Sequence, residues 1–412
     1  MNPFELKPKK LESLITPLQR LFLKPYDKLE TSPYTKVRLI LAQGTEFEAN
    51  WNSHQMARHV HSNDVRRKIA LIRRQEQLQH KMLSSLKPKD ENPLETTLAY
   101  EQLAVDLTAI LAQRAQNNVV KQQLDFALLE DFDHLYRFSD LLEMDEGKHF
   151  ENYLGDYTEV MPGRPTVAEF RHPNDDIRFP IIAKRNDLLT NIDVGIITAA
   201  EQQTMNFYMN LGAYYPNDLG RKLFTEIAMI EEQHVSGYES LKDPDMSWFE
   251  CLLMHEYTEC YLYYSLYQDE KSEPIRRLYE EIFEQEVAHL HAAKDLLWQY
   301  EGKHFCDVIP YGNFPTLIKF GENKRYIRQV LKDVSLTGVK EGYLPVDQLK
   351  KDSDFAAYQK KFVGSGQKNP SHVVIDKYIA KHGSDLRYEI APHPVKALQD
   401  RTTDNITVGR PQ

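Results

Sequence analysis

The sequence predicts an all-α protein with two helical units and a less regular C-terminal region. Apolar residues recur at steps of three and four over eight long segments, which is the period of an amphipathic helix. Acidic residues keep fixed intervals on four of these segments: Glu201 and Glu231 lie 30 residues apart, and so do Glu256 and Glu286. A repeated interval on repeated helices indicates internal duplication.

Breaks between the apolar segments are marked by cap and turn residues such as Ser62-Asn63-Asp64 and Pro216-Asn217-Asp218. An arm is expected over 1–35 and an irregular, proline-rich connector over 145–192. The two helical units are expected over 36–144 and 193–300. Their helices are predicted at 38–61, 64–86, 94–116, 119–143, 194–213, 219–241, 247–268 and 273–299. Residues 301–412 form a C-terminal extension with modest helices near 317–333 and 347–362.

Composition narrows the class of protein. A net charge of −10 over 412 residues disfavours nucleic acid as a partner. No stretch reaches the roughly 18 apolar residues of a membrane span, and the N-terminus lacks the apolar core of a signal peptide. Three cysteines without a C-x-x-C pair exclude a disulfide framework and a rubredoxin-type site. We expect a cytoplasmic protein.

The strongest candidate metal ligands lie in the downstream unit. Residues three apart share one face of a helix, so each Glu-x-x-His can offer both side chains to one site. Four carboxylates and two imidazoles suit Fe or Mn better than Zn, which prefers four ligands and thiolates. These glutamates interrupt apolar stripes that carry no nearby Lys or Arg, and a buried carboxylate needs a positive partner. The pattern consists of Glu201, Glu231-x-x-His234, Glu256 and Glu286-x-x-His289.

Two other interpretations of this pattern are open. The helices could be surface helices with ordinary Glu and His side chains. Alternatively, the residues could form a dry hydrogen-bonded network, although six such groups would leave several buried polar atoms unsatisfied.

A weaker copy of the pattern lies upstream. Glu101, Asp131 and His134 repeat Glu201, Glu231 and His234 at an offset of 100 residues. His80 precedes His234 by 154 residues, and Glu46 or Glu48 lies about as far before Glu201. On the predicted helix at 64–86, the three-residue spacing of the Glu-x-x-His pattern gives Gln77-x-x-His80, with a neutral amide in place of a carboxylate. Glu76 is the alternative carboxylate, but it lies four residues before His80. The upstream copy either binds metal through these residues or is a scaffold that has lost the chemistry.

The downstream unit resembles the ferritin-like di-iron carboxylate superfamily, whose bacterioferritins and rubrerythrins share its Glu, Glu-x-x-His, Glu, Glu-x-x-His order. The resemblance implies two antiparallel four-helix bundles and a di-iron or Mn/Fe centre. By this resemblance Glu231 and Glu286 are bridging ligands, and Glu201 and Glu256 are terminal ligands. His234 and His289 would hold one metal each, and Glu259 looks like the additional ligand of rubrerythrin-type sites.

Two pairings of the helices are compatible with the sequence. In the tandem pairing, which we expect, each bundle is a contiguous stretch of chain. In the second pairing the connector at 145–192 is the crossover of a mixed bundle, and the last helical hairpin is the extra one. That site would join Glu101, Asp131 and His134 with Glu201, Glu231 and His234.

The resemblance implies an oxidoreductase that activates O₂ or peroxide and acts on a small-molecule substrate. Tyr238 or Tyr208 would relay an electron or a proton. Without a rubredoxin domain, electrons would come from a separate donor protein. A ferroxidase or iron-handling protein without an organic substrate, and a metal-free scaffold, are the alternatives. The last twenty residues look extended and could wrap over a second subunit, which leaves a homodimer open.

Overall fold

The computed structural model describes residues 1–158, 160–163, 170–182, 187–364 and 368–384. The prediction of an all-α protein is confirmed for these residues, because their only sheet is a two-stranded hairpin. None of the helices in this part of the chain combines the length and low charge needed to cross a lipid bilayer.

Eight long helices lie over the eight predicted segments. Helices α1 and α6 begin five and six residues earlier than predicted. Pro33 at the first turn of α1 explains one of these starts, since proline is favoured there. A four-residue helix, α5 (Pro173–Asp176), lies in the connector. The long helices are α1 (Pro33–His59), α2 (Asn63–Ser85), α3 (Pro93–Arg114), α4 (Asn118–Glu146), α6 (Leu188–Tyr214), α7 (Asp218–Ser240), α8 (Trp248–Asp269) and α9 (Glu273–Glu301).

Two pairs of helix ends have the same form. Asn92 and Ser247 both form capping boxes, in which the side chain accepts from the backbone three residues on and a glutamate returns the bond. Gly147 and Gly302 end α4 and α9 with φ of 64° and 65°, a left-handed conformation that glycine adopts without strain. These matched ends bound two helical hairpins, α3–α4 and α8–α9.

The chain folds into two compact units, and each unit is assembled from several separate stretches of chain. The first unit contains residues 1–91, 180–203 and 242–320; the second contains the described residues of 92–179, 204–241 and 321–384. This corrects the tandem boundaries at 36–144 and 193–300. Helix α6 contributes its residues up to 203 to the first unit and the remainder to the second.

In the first unit the α1–α2 hairpin packs against the α8–α9 hairpin, α1 against α8 and α2 against α9. The buried Arg38 near the start of α1 donates to Glu270, just after α8, at 2.9 Å. Such specific contacts decide which hairpins pair, and apolar periodicity does not encode them. The N-terminal arm forms three short 3₁₀ helices, which contact α2 and α9.

In the second unit α3 packs against α4, and α4 packs against α7. Part of the C-terminal extension belongs to this unit, where α12 (Pro370–His382) contacts α4 and α7. Helix α12 was not predicted. Helix α10 (Lys324–Val330) lies within the first predicted segment, and α11 (Asp354–Val363) overlaps the second and ends one residue beyond it. The hairpin of β1 (Leu336–Val339) and β2 (Gly342–Pro345) separates the two helices. The predicted extended tail at 393–412 lies outside the described residues.

Candidate metal centres

Six buried donor residues meet in the first unit, and we call this cluster the first centre. They come from all four of its long paired helices and are at most 1 % exposed. The first centre consists of Glu46 on α1, Glu76 on α2, Glu256 and Glu259 on α8, and Glu286 and His289 on α9.

The donors of the first centre form two groups that share one carboxylate. Ligand atoms of Glu76, Glu256, Glu286 and His289 all lie within 4.8 Å of one another, and those of Glu46, Glu76 and Glu259 form a second such group. His289 Nδ1 lies 2.8 Å from Glu76 Oε1 and 3.0 Å from Glu286 Oε2. Two neighbouring groups with a common carboxylate are the arrangement that a pair of bridged metal ions requires.

Helical spacing explains these positions. Glu256 and Glu259 are three residues apart on α8, so both point to one face. On α2 the third position after Glu76 is Gln79, whose amide Nε2 donates to Glu286 Oε1 at 2.5 Å. A neutral hydrogen-bond donor thus stands where a second histidine would complete the Glu-x-x-His pattern.

Charge in the first centre is strongly unbalanced. Burial, followed by repulsion from Glu76, raises the pKa of Glu259, and the same causes raise the pKa of Glu256 to about 8. Burial would lower the pKa of His289, but the Glu286 and Glu76 carboxylates raise it well above its ordinary value. Glu256 Oε2 and Glu259 Oε1 are buried and accept no hydrogen bond from any residue that the structure describes. An oxygen-rich set with one imidazole nitrogen fits hard divalent cations such as Mn²⁺ or Fe²⁺.

Two side chains outside the donor set support it. The Tyr263 hydroxyl donates to Glu46. His255 lies between two carboxylates, with Nε2 3.3 Å from Glu259 Oε2 and Nδ1 3.0 Å from Glu48 Oε2. Of the two glutamates that the sequence left open on α1, Glu46 therefore joins the donor set and Glu48 pairs with His255.

A second cluster, which we call the second centre, lies in the second unit around Glu231. It contains Glu101 of α3, Asp131 and His134 of α4, and Glu231 and His234 of α7, all fully buried. His134 Nδ1 lies 2.9 Å from one Glu231 oxygen and His234 Nδ1 lies 3.1 Å from the other. Glu231 is common to two donor groups, one with Glu101 and His134 and one with Asp131 and His234.

Further contacts orient the second centre. His234 Nε2 lies 2.8 Å from Glu130 Oε2, and the buried Arg171 holds that carboxylate at 3.1 Å. A carboxylate behind a metal-binding histidine fixes its tautomer and ring orientation. Burial would raise the pKa of Glu231, but His134 and His234 hold it well below its ordinary value.

The tyrosines predicted to act as relays are both buried. The Tyr208 hydroxyl donates to Glu101 Oε1 at 2.6 Å, and burial together with that carboxylate raises the pKa of Tyr208 well above its ordinary value. Tyr238 is fully buried near the end of α7. Glu201 is buried on α6, in the part of that helix that belongs to the first unit.

The expectation for His80 is corrected. His80 is half-buried, burial lowers its pKa to about 4, and it belongs to neither donor cluster among the described residues. One residue corresponds to about 100° around a helix, so Gln79 and His80 cannot point to the same place. The tandem pairing is corrected as well, because the donors of α8 and α9 meet Glu46 and Glu76 of the first hairpin.

Sequence reasoning missed Gln79 and Tyr263 and left Glu46 and Glu76 undecided. One signal identifies all of them. Glu231 and Glu286 lie 55 residues apart in the downstream unit, and the same interval relates the two upstream hairpins. At this interval the matched pairs are Glu46 and Glu101, Glu76 and Asp131, Gln79 and His134, Glu201 and Glu256, Tyr208 and Tyr263, Glu231 and Glu286, and His234 and His289.

Compared with protein-family models, curated proteins and solved structures, the chain has no match. The two centres differ in the side chains that they offer as metal donors. The first centre offers five carboxylates and one imidazole, whereas the second centre includes two imidazoles. Buried groups of this composition are compatible with metal binding.

Proposed function

We propose that this protein is a ferritin-like di-metal oxidoreductase that activates O₂ or peroxide, with Fe or a Mn/Fe pair as its cofactor. The observation that carries the proposal is the position of Glu76, whose carboxylate belongs to both donor groups of the first centre. Glu256, Glu286 and His289 complete one group, and Glu46 and Glu259 complete the other. The second centre has the same organisation around Glu231 and is proposed to hold metal too.

A metal pair in the first centre would supply electrons for the reduction of O₂ or peroxide. The protein's own side chains prepare the site for that chemistry. Complete burial of the donors excludes bulk water. Tyr263 holds Glu46, and Gln79 holds one oxygen of Glu286, so both carboxylates are fixed before metal arrives. Fixed ligands keep a site at the geometry that it needs for reaction.

The architecture supports the same proposal. In the first unit two antiparallel hairpins contribute donors from four helices, as in ferritin-like bundles. Duplication of a 55-residue hairpin accounts for both centres. Electrons would come from a separate donor protein, since the chain has no C-x-x-C pair for a rubredoxin site.

Anaerobic addition of Fe(II) followed by exposure to air tests the proposal. We expect an absorbance change from Fe(II) oxidation in the wild-type protein, a smaller change in Glu286→Gln, and a wild-type change in Glu280→Gln. Glu280 is the matched control because it lies exposed on the same helix. Oxidation at the rate of free Fe(II), identical in all three proteins, would overturn the proposal.

A further inference from the structure

A cavity of about 150 Å³ lies beside the first centre, within the first unit. Helices α1, α6 and α8 form its walls, and residues of the segment 242–246 also line it. Much of the wall is apolar or small, and includes Val194, Ala199 and Met254. The cavity is therefore built by ordered helices.

The size of the cavity limits what it can hold. An apolar protein cavity of about 150 Å³ is large enough to bind benzene. This cavity has an apolar wall of the same kind, together with a polar wall that contains Glu48 and His255. A ligand of roughly six to ten non-hydrogen atoms, with an apolar body and one polar end, matches both walls.

The polar wall connects the cavity to the first centre. His255 lines the cavity and also lies 3.3 Å from Glu259, a donor of the centre. Thr258, the residue before that donor, lines the cavity too. One layer of side chains therefore separates the cavity from the donor set. Glu48 holds the other nitrogen of His255 at 3.0 Å, which fixes the ring in this wall.

We propose that this cavity binds a small, largely apolar molecule whose single polar end faces Glu48 and His255. Its role as the site for the organic substrate rests on the oxidoreductase function proposed above, whereas binding itself does not. Such a site favours a substrate-oxidising protein over one that handles iron alone, because only the former binds an organic molecule.

A larger side chain at Gly195 would fill the cavity. Gly195 lines the cavity on α6, and among the described residues a Cβ at this position would meet only Thr258 Cγ2, at the ordinary contact distance of 3.7 Å. Gly195→Ala should therefore fit without strain and serves as the matched control. Gly195→Leu adds a side chain that must extend into the cavity, and leucine favours the helix more than glycine does.

Isothermal titration calorimetry with benzyl alcohol and with toluene tests the proposal on the full chain. We expect saturable 1:1 binding of benzyl alcohol to wild type and Gly195→Ala, and an affinity at least tenfold lower for Gly195→Leu. Toluene should bind several-fold more weakly, because it cannot use the polar wall. Absent binding to wild type, or equal binding to both variants, would overturn the proposed site; equal affinity for both probes would overturn its polar end.

Metal content, measured by mass spectrometry on the same samples, separates the two proposals. Wild-type metal content in Gly195→Leu together with lost binding supports a cavity that is distinct from the centre. Binding that persists in a protein without metal or Fe(II) oxidation would overturn the oxidoreductase and leave the cavity standing. Loss of metal in Gly195→Leu would show that the substitution disturbs the centre, and would contradict a separate chamber.

Discussion

Gln79 donates its amide hydrogen to Glu286 across the α2–α9 interface at 2.5 Å. In the second centre the equivalent residue is His134, whose Nδ1 lies 2.9 Å from Glu231. At this position of the shared pattern the first centre has an amide and the second centre has an imidazole.

Replacing Gln79 with leucine should weaken metal binding at the first centre. The substitution removes the hydrogen bond that orients Glu286, and loss of a residue that orients a ligand typically costs about 10- to 100-fold in metal affinity. Mn(II) titration followed by electron paramagnetic resonance measures the affinity. Gln77→Leu is the control, because Gln77 lies two residues away and outside the donor set. Equal affinities for the two variants would contradict this role of Gln79.

Glu130→Gln should weaken the second centre and leave the first unchanged. Glu130 lies 2.8 Å from His234 Nε2, and a neutral amide would stabilise the donor tautomer of that histidine less well. We expect a loss of about 10- to 100-fold in the affinity of the second centre, seen as one weakened phase in a metal titration. Glu232→Gln, at an exposed position on α7, should change neither phase. A loss in the other phase would refute the assignment.

The stability of the metal-free protein should fall as pH rises from about 5 to about 8. Glu256 faces Glu76, Glu286, His289 and His255, and its pKa is about 8 in the folded protein against an ordinary value of 4.5. Between these values the folded state keeps a proton that the unfolded state releases, so a higher pH favours unfolding.

Thermal unfolding of metal-free protein across this pH range measures the effect. Added Mn(II) should remove most of the decline in Tm, because the cation stabilises the charged carboxylates. Glu256→Gln should flatten the profile without metal. A Tm that rises over this range in the metal-free wild type would show that the carboxylates are already charged and stabilised by other groups.

Arg38→Met should destabilise the first unit. Arg38 is 4 % exposed and pairs with Glu270 and Asp269 at 2.9 Å each. Removal of one partner of a buried ion pair costs about 3 to 5 kcal/mol, which denaturant unfolding can resolve. Arg276→Met removes an exposed partner of Glu273 and should have no measurable effect. Equal stabilities would mean that this pair does not hold α1 against α8.

The sequence predicted the eight long helices because their apolar stripes are long and their caps are explicit. It also predicted that Glu256, Glu286 and His289 share a site, since their spacing places them on facing helices. It could not choose the partner hairpin, because every hairpin carries a similar apolar stripe. The choice depends on buried contacts such as Arg38 with Glu270, which join residues 232 positions apart.

The upstream donors were harder to assign for a different reason. His80 was predicted as a ligand because histidine is the expected metal ligand at this point of the pattern. The residue that lies 55 positions before His134 is instead Gln79. The Gln79 amide contacts Glu286 as His134 contacts Glu231, but it offers a hydrogen-bond donor instead of an imidazole. Only the 55-residue interval, applied to both halves of the chain, separates Gln79 from its neighbours.

The metal content per chain, measured for wild type and Glu76→Ala purified from iron-supplemented cells, tests the central claim most directly. Two di-metal centres predict about four Fe or Mn ions per wild-type chain. Because Glu76 belongs to both donor groups of the first centre, the variant should retain only about two. Equal metal content in the two proteins, or none in either, would contradict a di-metal centre bridged by Glu76.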